Sequence, residues 1–234
     1  MVFDPPLQPA RLVRRYKRFL ADMLLPDGQA IVAHCPNPGS MMGLAVPGSA
    51  CWLSAKTAKG RKLDFGWEIV EATAMAKVGI NTGYANRIVA EALAKGAIPD
   101  LPVTGNWRPE APFGTGTRFD FCHTVDDGAL TFLEVKSVTL SRKAGLAEFP
   151  DARTERGAKH LRELMTAKAL GHRAILLFLV QRADCTEMRL AGDIDPVYAA
   201  TLGAAQAAGV EILGYTCDIS PAGISLANSI AFHA

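Results

Sequence analysis

The side chains best suited to chemistry in this sequence are the carboxylates of Asp120 and Glu134 and the amine of Lys136. Phe119 and Phe121 alternate with Arg118, Asp120 and Cys122, which predicts a β-strand there. A second strand is predicted at residues 130–140, where one face carries Leu130, Phe132, Glu134, Lys136, Val138 and Leu140. Glu134 and Lys136 stand two positions apart, so both side chains project from the same face of the second strand. The three groups are therefore candidates for one site.

A short turn connects the two predicted strands. Asp126, Asp127 and Gly128 suit a three-residue hairpin loop with the glycine in the left-handed conformation. In the register that this loop sets, Asp120 lies directly opposite Glu134, with the two Cβ atoms about 5 Å apart. Two carboxylates at that distance repel each other unless a positive charge lies between them.

A hard divalent cation, Mg²⁺ or Mn²⁺, would remove this repulsion. Mg²⁺ is commonly bound by one or two carboxylates together with water and substrate phosphate. The ammonium of Lys136 projects beside the pair, where it can stabilise developing negative charge or orient an attacking water. The residue types and their spacing thus indicate phosphodiester hydrolysis.

The same spacing also fits a solvated strand face on which a Glu-x-Lys pair has no chemical role. Residues 130–140 are too apolar for an edge strand wholly in water, which favours a half-buried face for Glu134 and Lys136. Charges that remain buried are normally paired or bound to metal. From the spacing alone, both interpretations stay open.

Composition limits the class of protein. The 234 residues, of which 49% are hydrophobic and 21% charged, suffice for one large domain or two modest ones. A net charge of only +2 excludes a histone-like polycation, so any affinity for nucleic acid must come from local basic patches. Five cysteines without framework or C-x-x-C spacing argue against a disulfide scaffold and a zinc site. Because no signal-peptide pattern and no apolar run of membrane-spanning length is found, we expect a cytoplasmic protein.

Residues 1–80 predict an all-β barrel. Strands are expected at residues 12–25, as one long bent strand, and at 30–34, 49–54, 62–71 and 75–78. Pro and Gly forbid regular structure at residues 36–40, which predicts a loop. About five strands in this length suit a small closed barrel, either of the OB or of the SH3-like type.

Residues 81–234 predict a mixed α/β or α+β arrangement. Helices are expected at residues 84–95, 155–170 and 195–208, the first of them ending at Gly96. Besides the hairpin, strands are expected at residues 210–216 and 222–227, whereas residues 141–150 predict a loop. The continuous apolar run at residues 173–181 is typical of a central strand that is covered on both faces. Together these elements predict a mixed sheet flanked by helices.

Short motifs along the whole chain match the pattern of a known family. They are Arg14-Arg15-Tyr16-Lys17-Arg18-Phe19, His34-Cys35-Pro36-Asn37, Gly39-Ser40-Met41, Gly79-Ile80-Asn81-Thr82, Ala85-Asn86-Arg87, Arg118 with Asp120-Phe121, Glu134-Val135-Lys136-Ser137-Val138-Thr139-Leu140, Phe149-Pro150-Asp151-Ala152, and Glu155-Arg156-Gly157 with Lys159-His160-Leu161. In these motifs the chain resembles the sugar fermentation stimulation protein A family, nearly from end to end. It departs from the family at Pro38, where Thr is usual, and Phe119 stands where the nuclease signature has Pro.

The resemblance implies both a fold and a function. It implies an N-terminal OB-like β-barrel over residues 1–80 that binds nucleic acid, and a C-terminal domain over residues 81–234 that is similar to the PD-(D/E)XK nucleases. It also implies DNA binding and a link to the regulation of sugar fermentation. By position, Glu91 resembles a carboxylate that the helix before the hairpin contributes to the nuclease metal cluster. An i,i+4 pair with Arg87 on a solvent face is the alternative for Glu91.

Candidate contacts to nucleic acid lie in three segments. Basic residues alternate with aromatic ones near the N-terminus, an arrangement that suits stacked bases and tracked phosphates, although a solvated strand fits as well. The loop at residues 36–40 can present backbone N–H groups to an anion or serve only as a tight connection. The resemblance implies that two basic residues of the helix at 155–170 contact phosphates. The candidates are Arg14, Arg15, Tyr16, Lys17, Arg18, Asn37, Ser40, Arg156 and Lys159.

Two functions follow from the sequence. The first is a DNA-binding protein with a divalent-metal, nuclease-like site in which Asp120 and Glu134 hold the metal and Lys136 assists hydrolysis. The alternative is a non-catalytic DNA-binding regulator of sugar metabolism genes. A third and weaker interpretation is an enzyme acting on another phosphate-bearing substrate, such as RNA or a nucleotide. Whether the chain is an enzyme, its sequence preference and its oligomeric state stay open at this level.

Overall fold

The N-terminal part of the chain is a closed β-barrel. The computed structural model describes residues 1–55, 62–72, 76–114, 116–124 and 128–233. The barrel strands are β1 (Gln8–Tyr16), β2 (Leu20–Leu24), β3 (Ala30–His34), β4 (Ala50–Ala55), β5 (Phe65–Glu71) and β6 (Lys77–Gly79). Their order is β3-β2-β1-β4-β5-β6, and an additional pairing of β3 with β5 closes the sheet. Side chains of alternate residues, among them Leu12, Met23 and Trp67, fill the interior. The prediction of an OB-like barrel is confirmed.

The predicted long strand at residues 12–25 is wrong. Two strands occupy this segment, and a tight turn separates them at Lys17 and Arg18, whose φ angles are 46° and 63°. Left-handed backbone is normally marked by glycine or asparagine, and neither residue occurs here. The basic segment is therefore a hairpin whose exposed tip consists of Lys17 and Arg18. The predicted loop at residues 36–40 is irregular, as expected.

The C-terminal part of the chain is built around a second six-stranded sheet. Its elements in chain order are α1 (Ala85–Ala94), β7 (Asn106–Phe113), β8 (Thr117–Thr124), β9 (Leu130–Val138), β10 (Leu140–Lys143), β11 (Gly145–Phe149), α2 (Glu155–Ala169), β12 (Arg173–Val180), β13 (Cys185–Leu190), α3 (Pro196–Ala207), β14 (Glu211–Ser220), β15 (Gly223–Ser229) and β16 (Ala231–His233). The large sheet has the order β15-β14-β12-β9-β8-β7. Strand β12 runs parallel to both of its neighbours, and the other pairings are antiparallel.

Both faces of the large sheet are covered. On β12, Leu176 and Phe178 pack into the core beneath α2 and α3, whereas Leu177 and Leu179 pack into the core beneath α1. Double coverage explains why the apolar run of β12 is continuous rather than alternating. The predictions of a central strand and of a mixed sheet flanked by helices are confirmed. Within the described ranges no helix is long and apolar enough to cross a membrane.

A small four-stranded sheet includes residues 141–150, for which a loop is predicted. Strands β10, β11, β13 and β16 form it in that order. The sequence pattern predicts none of these four strands, nor β7. The charged residues in this region suggested a loop. The carboxylate of Glu148 is nevertheless completely buried, because Arg142 (2.8 Å from Nε to Oε2) and Arg189 (3.0 Å from Nη2 to Oε1) both donate to it.

We expect the substitution Glu148→Gln to lower the free energy of unfolding at pH 7 by about 2 to 3 kcal/mol, less than for a fully buried pair because both arginines reach solvent. The hydrogen bond from Arg142 holds the pKa of the Glu148 carboxyl below its ordinary value of 4.5. Arg189 also lowers this pKa, and together the two arginines outweigh burial, which by itself would raise it. The wild-type protein therefore has its full advantage above pH 4.5 and loses it as the pH falls through the lowered pKa.

Urea unfolding across this pH range measures the difference. The exposed Glu187 of β13 provides the control substitution Glu187→Gln, which should leave stability nearly unchanged. A difference between wild type and Glu148→Gln that stayed constant down to pH 2 would contradict the expectation.

Candidate active site

Strands β8 and β9 bring the two predicted carboxylates together. Phe121 pairs with Leu133 and Cys122 with Phe132, so the next pair in the same register is Asp120 and Glu134. Both carboxylates line one cleft. Gly128 has a φ angle of 81°, which is the left-handed conformation expected for it. The other two residues of the predicted loop, Asp126 and Asp127, lie outside the described residues.

Glu134 is a buried carboxylate, and both of its described polar partners contact the same oxygen. Glu134 is 2% exposed to solvent. Oε1 accepts a hydrogen bond from Lys136 Nζ at 2.6 Å and is also in contact with Nδ1 of His160. Among the described residues Oε2 has no hydrogen-bond partner. Burial alone would raise the pKa of Glu134, but His160 and Lys136 outweigh it, so the pKa lies below its ordinary value and the group is ionised.

Asp120 stands in a different electrostatic environment. Its Oδ1 accepts from Asn86 Nδ2 at 2.7 Å, and its Oδ2 accepts from the backbone N–H of Val135 at 2.7 Å. Burial and the charge of Glu134 nevertheless raise the pKa of Asp120 above its ordinary value. The raised pKa reflects the repulsion expected between two neighbouring carboxylates.

The donor set fits a hard divalent cation. Asp120 and Glu134 supply carboxylate oxygens, and the buried Oε2 of Glu134 lacks a partner among the described residues, which is unfavourable without a cation or water. No group of three or more His, Cys, Asp or Glu side chains that could hold a metal is found in the described ranges. Water and substrate would therefore have to complete the coordination, which is the usual situation for Mg²⁺.

The structure corrects the prediction for Glu91. Its carboxylate pairs with the amino group of Met1 and with Lys95 Nζ at 2.5 Å, and it does not line the cleft of Asp120. Asn86 is the residue of α1 that reaches Asp120. Five residues correspond to about 1.4 helical turns, so Asn86 and Glu91 project from different sides of the same helix.

His160 is a site residue that the sequence analysis did not select. It lies on α2, is 7% exposed, and contacts Glu134 through Nδ1, while its Nε2 accepts from Arg156 Nε at 3.4 Å. Its sequence signal was the motif Lys159-His160-Leu161, which is one of those that match the family pattern. The unusual glycine in the first turn of this helix, Gly157, lies where a Cβ would be 3.0 Å from Cε2 of Tyr198. Gly157 thus allows α2 to pack closely against α3.

Two connected clefts meet at Asp120. The first, of about 490 Å³, lies between the barrel loop and the start of α2. The second, of about 560 Å³, is lined by Arg118, Lys159, Gly114 and Gly116, among others. Asp120, Arg156 and His160 line both. The predicted phosphate contacts Arg156 and Lys159 therefore stand beside the carboxylates.

The predicted barrel contacts fall into two groups. Some support the structure: Arg14 pairs with Asp22 at 2.7 Å and lies over the ring of Tyr16, while Arg15 donates to the carbonyl of Asn37 at 2.9 Å. The others are exposed and include the hairpin tip, Lys17 and Arg18, and Ser40, whose N–H donates to Asp151. The structure brings Asn37 and Ser40 near the cleft, whereas Lys17 and Arg18 do not line it.

Asn37 itself is 2% exposed and is occupied by structural hydrogen bonds. Its Nδ2 donates to the carbonyl of Ile80 at 3.0 Å, and its Oδ1 accepts from the N–H of Gly39 at 2.8 Å. The side chain therefore shapes the wall of the cleft.

Comparison with known proteins agrees with the fold. Residues 13–80 match the family model described as the SfsA N-terminal OB domain, and residues 83–223 match that of the sugar fermentation stimulation protein RE domain. The sugar fermentation stimulation protein homolog of Ruegeria pomeroyi is 50% identical over 230 residues, which cover 98% of this chain and 100% of the relative. The homolog of Roseobacter denitrificans is 51% identical over 231 residues, covering 98% of both chains.

A solved structure is similar over the full length. It is that of Pyrococcus furiosus SfsA in complex with Ca²⁺, with a TM-score of 0.88 and 24% sequence identity, covering 100% of this chain and 98% of the other. The similarity shows that the two proteins share one fold.

We expect Glu134→Gln to lower the pKa of the Asp120 carboxyl in the metal-free protein. The substitution removes the neighbouring negative charge that helps to raise this pKa, so the ionised form of Asp120 becomes more favourable. Carbon-13 NMR of the labelled carboxyl over a pH titration measures the change. Glu187→Gln is the matched control and should leave Asp120 unaffected. An unchanged or higher pKa in Glu134→Gln would show that the two carboxylates do not interact.

Proposed function

The chain belongs to the sugar fermentation stimulation protein family, and from this premise we propose that it is a DNA-binding protein with a divalent-metal site that hydrolyses phosphodiester bonds. One observation carries the proposal. Two carboxylates from adjacent strands, Asp120 and Glu134, line one cleft, with the amine of Lys136 at 2.6 Å from Glu134 and with Glu134 Oε2 unpaired among the described residues.

Each of these residues has a separate role in the proposed hydrolysis. Asp120 and Glu134 hold the cation, Mg²⁺ or Mn²⁺, which when bound polarises the scissile phosphate and lowers the pKa of water. His160 fixes the orientation of Glu134 through their direct contact. The Lys136 ammonium stands beside the phosphate and stabilises the negative charge that develops on its oxygens. Asn86 and the N–H of Val135 keep Asp120 aimed at the same point.

Basic side chains position the substrate. Arg118 and Lys159 line the second cleft and Arg156 lines both, so all three are placed to pair with phosphates that flank the scissile bond. On the barrel, the exposed ring of Phe19 stacks on His34 with 6.3 Å between ring centroids, next to the tip formed by Lys17 and Arg18. Aromatic rings beside basic residues suit an unpaired strand whose bases stack.

Two further observations support the metal and the compartment. The Pyrococcus furiosus protein of the same fold is in complex with Ca²⁺, another hard divalent cation with oxygen ligands. All five cysteines are free and buried, which agrees with a reducing environment, and we extend the proposal to a cytoplasmic protein.

We expect the protein to cleave DNA when Mg²⁺ or Mn²⁺ is present. Asp120→Asn and Glu134→Gln should each lower the rate by at least the ~10- to 100-fold that loss of a supporting residue typically causes at metal sites. Lys136→Met should lower it as well, since it removes the charge next to the phosphate. Gel assays on single- and double-stranded DNA and on RNA measure these rates.

The exposed Glu187 again supplies the control, since Glu187→Gln keeps the cleft intact. Cleavage that survives Glu134→Gln would place the activity elsewhere. If wild type cleaves none of these substrates, hydrolysis is refuted, and the alternative for this chain is a non-catalytic DNA-binding regulator of sugar metabolism genes.

We expect affinity for DNA to fall with salt because phosphate contacts release counterions. If Lys17 and Arg18 each neutralise one phosphate, Lys17→Ala and Arg18→Ala should each reduce the log–log slope by about 0.9 on duplex and about 0.7 on single strands. Fluorescence anisotropy at a series of salt concentrations gives the slopes. Lys95→Ala is the control, since this lysine pairs with Glu91 away from the cleft. Unchanged slopes in both tip variants would exclude the hairpin tip from the interface.

A further inference from the structure

Two walls of the cleft come from different parts of the chain, and they touch each other. The barrel loop, residues 37–39, lines one wall, and residues 150–154, which precede α2, line the other. Next to these residues, the N–H of Ser40 donates to Asp151 Oδ2 at 2.9 Å, and the hydroxyl of Ser40 lies 3.4 Å from the same oxygen. We call this contact the bridge.

The bridge is closely packed. A Cβ atom on Gly39 would lie only 2.1 Å from Asp151 Oδ2, so the backbone of the loop rests directly on the carboxylate. Only glycine allows this approach. The two segments therefore meet without a gap through which a chain could pass at this point.

Both ends of the bridge are held in place. On the barrel side, the Arg15 guanidinium donates to the carbonyls of Asn37, Gly39 and Ser40 at 2.9, 3.0 and 3.3 Å. On the other side, Thr154 caps α2 by accepting from the N–H of Gly157 at 3.0 Å, and its own N–H donates to Asp195 Oδ2 at 2.8 Å. The bridge thus connects two supported segments.

Asp151 of the bridge lines only the first cleft, whereas Arg118 and Lys159 line only the second. A strand can approach Asp120 along the cleft of Arg118 and Lys159, which carries positive charge. Beyond Asp120 it meets the 490 Å³ cleft, whose volume is that of a small-molecule pocket, about 300 to 1,000 Å³, and accommodates a short stretch of one strand.

We propose that the site takes the free end of an unpaired DNA strand, which enters past Arg118 and Lys159 and stops at the bridge between Ser40 and Asp151. Closed circles and the interior of a duplex are excluded. The inference rests on the proposed function and names its substrate class. Hydrolysis at this position joins a water oxygen to phosphorus and breaks one P–O ester bond, and the departing sugar oxygen takes up the proton that the water releases.

Linear and covalently closed circular single strands of the same sequence test the inference. With Mg²⁺ or Mn²⁺, wild type should cut the linear strand at least about ten-fold faster than the circle, a difference of about 1.4 kcal/mol in activation free energy. Asp151→Ala removes the bridge, so the circle should become a substrate and the ratio should approach one. Asp151→Asn keeps an acceptor oxygen for Ser40 and should keep most of the preference. Asp218→Ala, an exposed carboxylate outside both clefts, is the control.

The outcomes separate the inference from the proposed function. If wild type cuts circle and linear strand at equal rates, hydrolysis stands and end selection is refuted. If wild type cuts neither, binding in Ca²⁺ decides the inference alone. An affinity about ten-fold higher for the linear strand, lost in Asp151→Ala but kept in Asp218→Ala, supports end capture. Equal affinities of wild type for the two forms overturn it. Thermal unfolding of each variant verifies that its fold is intact.

Discussion

The repulsion between Asp120 and Glu134 is the constraint on which the C-terminal domain depends. A buried carboxylate beside a second one is unfavourable unless each is compensated. The compensating groups come from three elements: Asn86 of α1 and the Val135 N–H of β9 for Asp120, and Lys136 of β9 and His160 of α2 for Glu134. The positions of both helices relative to strands β8 and β9 are therefore coupled to the charges of the site. Compensation remains incomplete, since the pKa of Asp120 stays raised and Glu134 Oε2 stays unpaired among the described residues. Such incomplete compensation is expected for a pair of carboxylates that binds a cation.

The sequence was sufficient wherever a local pattern determines the geometry. The register of β8 and β9 follows from the period of two and the position of Gly128, and the central position of β12 follows from its uninterrupted apolar run. It was insufficient where distant partners determine the structure. Glu148 suggested a loop because the arginines that neutralise it, Arg142 and Arg189, lie on other strands. Lys17 and Arg18 form a turn without glycine or proline, so no local signal marks the end of β1.

The same distinction explains which site residues could be found. Asp120, Glu134 and Lys136 are close because of local strand geometry. The contribution of α1 instead depends on the rotation of the helix about its axis, which is decided by packing of Ile88 and Val89 beneath the sheet and by the pairing of Glu91 with Met1. That rotation turns Asn86, and not Glu91, toward Asp120. His160 reaches Glu134 because Gly157 lets α2 lie close to Tyr198. Both the rotation of α1 and the position of His160 depend on tertiary contacts, so local sequence patterns do not predict them.

The barrel contributes shape to the cleft as well as a surface of its own. Arg15 and Asn37 resemble nucleic-acid contacts in sequence. In the structure, however, their side chains form hydrogen bonds that hold the loop at residues 37–40. That loop is one wall of the cleft and meets Asp151 of the other part of the chain. Loss of Arg15 would therefore change the shape of the cleft even if its guanidinium never touched a phosphate. A loss of binding in an Arg15 variant is by itself ambiguous, whereas the exposed Lys17 and Arg18 report on direct contact. For this reason the two parts of the chain are best regarded as one functional unit, in which the barrel limits what the carboxylates can reach.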